Sequence, residues 1–215
     1  MKLKNWVGVV IVGITLTLAT LTVSALAQQA SPFSDIKGNT HEQAIKTLHK
    51  EQIVFGKTSK LYAPNDVATR GETAQMFANA LQLDTSNVDN PHFPDVPTTY
   101  KYYGAIAALA NAGIVSGNNG YFMPNGNFKR ANAAKMITLG FDLKIATSIS
   151  SKFIDMPRHY ETALYVQTLI NYDLTRGTTP TTFHPNSDLT RGHVATFLYN
   201  TIEALADDLT IANVK

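Results

Sequence analysis

The chain is 215 residues long, enough for one or two domains, and it is 44% hydrophobic and 16% charged, a balance that excludes a disordered acidic or basic tail. It contains no cysteine, which excludes a disulfide scaffold, a thiolate zinc site, a thiol nucleophile and a lipidated N-terminal cysteine. The formal charge of +2 becomes zero once residues 1–27 are set aside, because they carry two lysines and no acid, and a neutral chain lacks the basic face that nucleic-acid binding requires.

Residues 1–27 read as a secretory signal peptide. Lys2 and Lys4 precede an apolar run from Val7 to Val23, and Ala25-Leu26-Ala27 places small residues where a signal peptidase cuts. Trp6, the one tryptophan, leaves with this segment. An uncleaved anchor is the competing reading, since the run approaches spanning length. The small-residue site and the polar stretch from Ser24 to Ser31 favour cleavage, after which no membrane contact is expected.

The rest, 28–215, is an internal repeat. Phe33-Ser34-Asp35-Ile36 recurs as Phe93-Pro94-Asp95-Val96 and Phe153-Ile154-Asp155-Met156, with a period of 60 residues. Each motif is followed by an apolar pair (Ile45 and Leu48, Ile106 and Leu109, Val166 and Leu169) and a glycine (Gly56, Gly117, Gly177). An aromatic-x-Pro triplet then begins at Tyr62, Phe122 or Phe183, and each unit then reaches an arginine, Arg70, Arg130 or Arg191. The units span about 32–83, 92–143 and 152–204, with a short tail beyond.

Each unit reads as helix, loop, helix. Tyr102 to Ala112 has apolar residues at helical spacing and stops at Gly113. Ser116 to Gly120 and Pro124 to Asn127 carry turn chemistry, and a second helix follows from about Arg130 to Leu139. In the first unit Thr69-Arg70-Gly71-Glu72 has the spacing of a capping box, and Ala74, Phe77, Ala78 and Leu81 form one apolar stripe. A unit this small buries little alone, so the three stripes are expected to share one core in a single mature domain.

These landmarks resemble the S-layer homology (SLH) repeat. Phe93-Pro94-Asp95-Val96, Ala105-Ile106-Ala107-Ala108-Leu109 and Gly113-Ile114-Val115-Ser116-Gly117 carry the resemblance, which runs from Pro32 to about Ala204. The family's second helix begins Thr-Arg-Ala-Glu. Repeat one keeps this nearly intact, repeat two reads Lys129-Arg130-Ala131-Asn132, and repeat three Thr190-Arg191-Gly192-His193. The family's first-helix tryptophan is missing, and Tyr100, Tyr102, Tyr103 and Tyr160 lie near its place. The resemblance implies a mainly α fold, a pseudo-threefold helical bundle with grooves between neighbouring repeats. It also implies that those grooves bind a secondary wall polysaccharide on peptidoglycan, often bearing pyruvate ketals, with the arginines as main ligand contacts. The departures imply three unequal grooves.

The residues themselves admit two readings. An arginine just inside a helix start sits beside unpaired backbone N–H groups and the positive end of the helix dipole, which together favour an anion. Its planar fork matches the carboxylate of a pyruvate ketal. Alternatively each arginine pairs with a protein carboxylate, such as Asp35, Asp95 or Asp155, and staples repeats together. Those aspartates precede helices and are expected to accept backbone N–H bonds, with sugar contact as the other role. Gly56, Gly117 and Gly177 are turn residues that also let a sugar approach the backbone. Tyr62, Phe122 and Phe183 are core plugs or stacking platforms, Thr69, Glu72 and Thr190 are caps, and Lys129 is a surface charge or a groove cation.

Nothing reads as catalytic. No His-Glu-x-x-His pair, Gly-x-Ser-x-Gly, phosphate loop, dinucleotide fingerprint or calcium loop is present, and no cofactor or metal is expected. The expectation is an exported, non-catalytic protein held noncovalently to a bacterial wall by an anionic polysaccharide. The alternative is a self-assembling surface-layer or protein-interaction module whose partner is a surface protein. Only Leu205 to Lys215 follow the third repeat, so the chain is expected to occupy wall sites itself or to recruit a partner through its outer face.

Overall fold

The computed structural model describes residues 31–212, with side chains as far as Ala206. The expected signal segment lies outside the described residues. Each repeat contributes two helices: α1 (Glu42–Lys50) and α2 (Arg70–Ala80), α3 (Tyr103–Asn111) and α4 (Arg130–Gly140), α5 (Tyr160–Asn171) and α6 (Arg191–Ala212). Among the described residues only isolated β-bridges accompany them, and no helix is long and apolar enough to cross a membrane.

The helix ends follow local chemistry. Thr69 caps α2 in a complete capping box with Glu72. The first helix of each repeat stops on a left-handed residue, Gln52 (φ 59), Gly113 (φ 74) or Asp173 (φ 53). The next N–H then reaches back five residues: Ile53 to Leu48, Ile114 to Leu109 and Leu174 to Leu169. This closing bond satisfies carbonyls that the helix itself leaves open.

The second helix of each repeat packs on the first helix of the next, α2 on α3 and α4 on α5, and α6 returns to pack on α1. At the centre Ala68 N–H donates to the Leu189 carbonyl, Leu189 N–H to Phe128 and Phe128 N–H to Ala68, each at 2.9 Å. The loops that carry the helix starts are thus tied in a closed circuit. One buried cluster runs through all three repeats, including Ile45 and Phe77 of the first, Ile106 and Ile137 of the second, and Leu169 and Leu198 of the third. Each such side chain contributes about 1.5–3 kcal/mol by leaving water.

Candidate functional site

The three Phe-x-Asp aspartates have one shared task. Asp35 accepts the N–H groups of Tyr62 and Ala63 (2.9 and 2.7 Å). Asp95 accepts those of Phe122 and Met123 (3.0 and 2.6 Å), and Asp155 those of Phe183 and His184 (2.7 and 2.8 Å). The middle residue of each aromatic-x-Pro triplet is left-handed, Ala63 at φ 60, Met123 at φ 57 and His184 at φ 56. A non-glycine residue adopts that conformation at a cost, and the carboxylate holds it there. Burial opposes ionisation of Asp155, but the Phe183 and His184 N–H groups prevail and its carboxyl lies below the usual range. The aspartates therefore do receive backbone N–H bonds, but from the turn some 27 to 29 residues downstream and not from the helix that follows them. With both oxygens so occupied, they are anchors for the loop beneath the groove.

That loop presents the arginine of the preceding repeat with a ring and a carbonyl. Arg70 lies over Phe122 at 4.8 Å and its Nε donates to the Phe122 carbonyl at 2.7 Å. Arg191 lies over Tyr62 at 4.7 Å and its Nε donates to the Tyr62 carbonyl at 2.9 Å. The rings are buried plugs, as expected, and their faces hold the guanidinium ions. Arg130 lies over Phe183 at 4.8 Å, but its Nε is buried without a partner and its Nη2 donates to Thr175 Oγ1 at 3.2 Å. Burial draws the Arg70 and Arg130 guanidinium groups down from their ordinary range, with Asp95 pulling Arg70 the other way.

The backbone donors of the expected helix-start anion site already have partners. The N–H groups of Arg70, Arg130 and Arg191 donate to the carbonyls of Gly126, Ser187 and Asp66, and the following N–H groups to Pro124, Pro185 and Pro64. The helix-start donors are consumed at the junctions between repeats, so any anion must meet side chains. The alternative, an ion pair of each arginine with a carboxylate such as Asp35, Asp95 or Asp155, is not seen with those aspartates, whose oxygens take backbone N–H groups. Among the described residues, Arg191 alone of these three arginines has an ion-pair partner, Glu72 of repeat one, at 3.2 Å. Lys129 caps α4 with its backbone and pairs with Asp188 at 2.5 Å.

Two grooves remain open beside these arginines. The first has a volume of about 530 Å³ and is lined by Gly56, Lys57, Glu72, Gln75, Asn79, Lys101, Tyr102 and Arg191, with Ile53, Phe55 and Met76. All three repeats contribute to it. Lys57 pairs with Asp66, whereas Lys101 lies over the Tyr102 ring at 4.9 Å. The second, about 90 Å³, is lined by Arg70, Ser116, Gly117, Asn132 and Lys135 among apolar neighbours and includes no carboxylate. Gly177 lines a depression within repeat three. A Cβ at Gly56, Gly117 or Gly177 would come within 2.5, 2.8 or 2.6 Å of the ring of Phe33, Phe93 or Phe153. Those glycines are therefore required first by packing inside their own repeat.

The S-layer homology domain model matches residues 32–74, 92–134 and 152–195. The chain belongs to the S-layer homology domain family. It is 25% identical over 203 residues to an S-layer protein of Bacillus thuringiensis subsp. finitimus, covering 93% of this chain and 25% of the relative. It is 30% identical over 184 residues to a surface-layer 125 kDa protein of Lysinibacillus sphaericus, covering 83% of this chain and 15% of the relative. An endoglucanase of Bacillus sp. strain KSM-635 is 30% identical over 134 residues, 61% of this chain and 14% of the enzyme. The chain thus spans a quarter or less of the length of these curated relatives. Surface-layer proteins and an enzyme are alike similar to this chain over its S-layer homology region, which supports cell-surface association.

One relation within the SLH repeats escaped the sequence reading. The third residue of each second helix, Glu72, Asn132 or His193, lies beside the arginine of the preceding repeat. Glu72 pairs with Arg191, Asn132 lines the Arg70 groove, and the charge of Arg130 acts on His193. Loss of the motif glutamate in repeats two and three therefore leaves Arg70 and Arg130 without an ion-pair partner among the described residues, while the caps are only partly affected. His193 Nδ1 faces Thr190 Oγ1 at 2.9 Å and its N–H donates back to that oxygen, so histidine serves where glutamate would stand.

Proposed function

We propose that this protein is exported and held noncovalently to a bacterial cell wall by an anionic polysaccharide attached to peptidoglycan. The observation that carries this reading is the first groove. In a single SLH module it gathers Arg191, paired with Glu72, Lys57, paired with Asp66, and Lys101, over the Tyr102 ring, beside two amide side chains. Cations meet a sugar carboxylate such as a pyruvate ketal, amides meet hydroxyls, and the ring meets an apolar sugar face. Tyr102 fills the role expected of the missing tryptophan. The smaller Arg70 groove, with Lys135 and no carboxylate, is the second site, suited to the ketal carboxylate alone.

The test is sedimentation with purified wall sacculi before and after chemical removal of the attached polysaccharide. Binding is expected only before removal. Binding to both preparations would assign the site to peptidoglycan, and binding to neither would favour a protein partner. Lys101→Ala removes a cation that has no acid partner among the described residues. It is expected to weaken binding by about tenfold, the lower end for a hydrogen bond to a charged group, with the melting temperature unchanged.

A further inference from the structure

Gly71, Ala131 and Gly192 each follow a motif arginine, and a ring lies against both glycines. A Cβ on Gly71 would come within 2.9 Å of the Tyr102 ring, and one on Gly192 within 2.3 Å of the His41 ring. Repeat three carries Thr162 at the position of Tyr102, so no ring stands there and Ala131 keeps its methyl group. A second closure is lost with the ring. The asparagine after each triplet proline is bridged in repeat one by Asn39, whose Nδ2 donates to Asn65 Oδ1 at 3.4 Å, and in repeat two by Tyr100, whose hydroxyl donates to Asn125 Oδ1 at 3.0 Å. In repeat three Asn186 has no side-chain partner among the described residues, and Tyr160, the counterpart of Tyr100, is 60% exposed. A cleft of about 1010 Å³ results, with Ala131, Thr162 and Asn186 in its lining and no residue shared with the grooves beside Arg70 and Arg191.

The cleft is cationic and apolar. Arg158 and His159 stand where repeat two has Thr98 and Thr99, and His184 where it has Met123. Arg158 makes no ion pair or hydrogen bond among the described residues. His159 Nδ1 lies 3.5 Å from Thr162 Oγ1 and His184 Nδ1 2.6 Å from Thr178 Oγ1, which leaves each Nε2 without a partner among those residues. The one acid in the lining, Asp155, has both oxygens on the Phe183 and His184 N–H groups. Ile154, 83% exposed, joins Pro157 and Pro185 as an apolar wall. We propose that this cleft binds a carboxylate-bearing sugar unit of the wall polysaccharide, at a site apart from the motif arginines. The proposal rests on the polysaccharide reading above for the identity of its ligand. The planar fork of Arg158 pairs with the carboxylate, and the histidine Nε2 atoms meet hydroxyls. The C–H face of the sugar lies on the apolar wall, in space that a ring fills at the other two junctions.

Amide chemical-shift titration of the isotope-labelled protein with a pyruvate-ketal monosaccharide reads cleft and grooves separately. The Thr162, Asn186 and Ser187 amides are expected to shift. Arg158→Ala should weaken that response by about tenfold, while the Gly117 and Asn132 amides of the Arg70 groove respond as before. Ala131→Gly with Thr162→Tyr, which copies the junction of repeats one and two, should abolish the cleft response. Should that double variant fold poorly, Arg158→Ala, a change to an exposed side chain, still decides the matter. Shifts confined to Gly117 and Asn132 would overturn the cleft site and leave the polysaccharide reading standing. Shifts confined to the cleft would support it and overturn the groove assignment instead. Pyruvate alone shifting the cleft amides as strongly as the ketal would overturn sugar recognition, and silence at every amide would overturn both readings.

Discussion

Arg191→Ala tests whether these arginines act first as structure. Arg191 is 4% exposed and makes four contacts with repeat one: Glu72 at 3.2 Å, the Tyr62 and Phe55 carbonyls at 2.9 and 2.7 Å, and the Tyr62 ring at 4.7 Å. Truncation leaves a largely buried Glu72 carboxylate without its cation, and removing one member of a buried pair costs about 3–5 kcal/mol. For a chain of this size each kcal/mol shifts the melting temperature by about 2–4 °C, so a fall of roughly 6–20 °C is expected in thermal unfolding followed by circular dichroism. Arg191→Ala with Glu72→Gln should recover part of the loss, because glutamine keeps the cap on α2 and removes the stranded charge. Arg70→Ala, which loses one carbonyl bond and one ring contact, should cost less. A melting point for Arg191→Ala within about 2 °C of the unaltered protein, less than ~1 kcal/mol, would refute the assignment of Arg191 as the tie between the last and first repeats.

Asp95→Ala should cost about 2 kcal/mol in urea denaturation, since two N–H donors lose a charged acceptor and Met123 loses the restraint on its left-handed turn; Asp95→Asn, which keeps one acceptor, should cost less. Acid should loosen the junction between repeats three and one. The rings of His41 and His193 lie 4.8 Å apart, and burial lowers both pKa values, with His193 acting further on His41 and Arg130 on His193. A histidine whose folded pKa is depressed contributes stability above its unfolded pKa of about 6.5 and loses it as the pH falls through the folded value. The melting temperature should therefore decline as pH drops below about 6.5, and His193→Glu should flatten that decline; an unchanged slope in the variant would discount the pair. A chain lacking 153–215 should aggregate or melt without a sharp transition, because α1 and α4 lose the helices they pack against; a sharply melting fragment would mean that the repeats are stable as an open row.

Much of the fold was legible because each repeat states it again. The helix starts at Arg70, Arg130 and Arg191, the cap at Thr69 and the buried aromatics all follow from local pattern, and local pattern acts within a few residues. The long-range bonds were less legible. An aspartate before a helix looks like a cap, yet Asp35, Asp95 and Asp155 reach a turn brought close only by the folded loop. The apparent anion site at each helix start failed for a related reason. A sequence shows that the first N–H groups of a helix lack intrahelical partners, but not that the neighbouring repeat's carbonyls will meet them. Lys129 beside Arg130 looked like a second groove cation, yet its partner, Asp188, lies 59 residues away.

The offset between motif and function explains why the grooves differ as they do. The repeated arginine acts on the next repeat, while the residue two positions after it acts on the arginine of the previous one. A change in a single Thr-Arg-Ala-Glu copy therefore alters two junctions, one through its arginine and one through its fourth residue. Keeping Glu72 neutralises Arg191 and fastens the closure of the ring, where the chain has no covalent continuity from repeat three to repeat one. Losing the acid at Asn132 leaves Arg70 positive beside Lys135, at a junction the chain already spans. The ion pair thus stands at the one junction without a covalent link, and the junction without one is spanned by the chain itself.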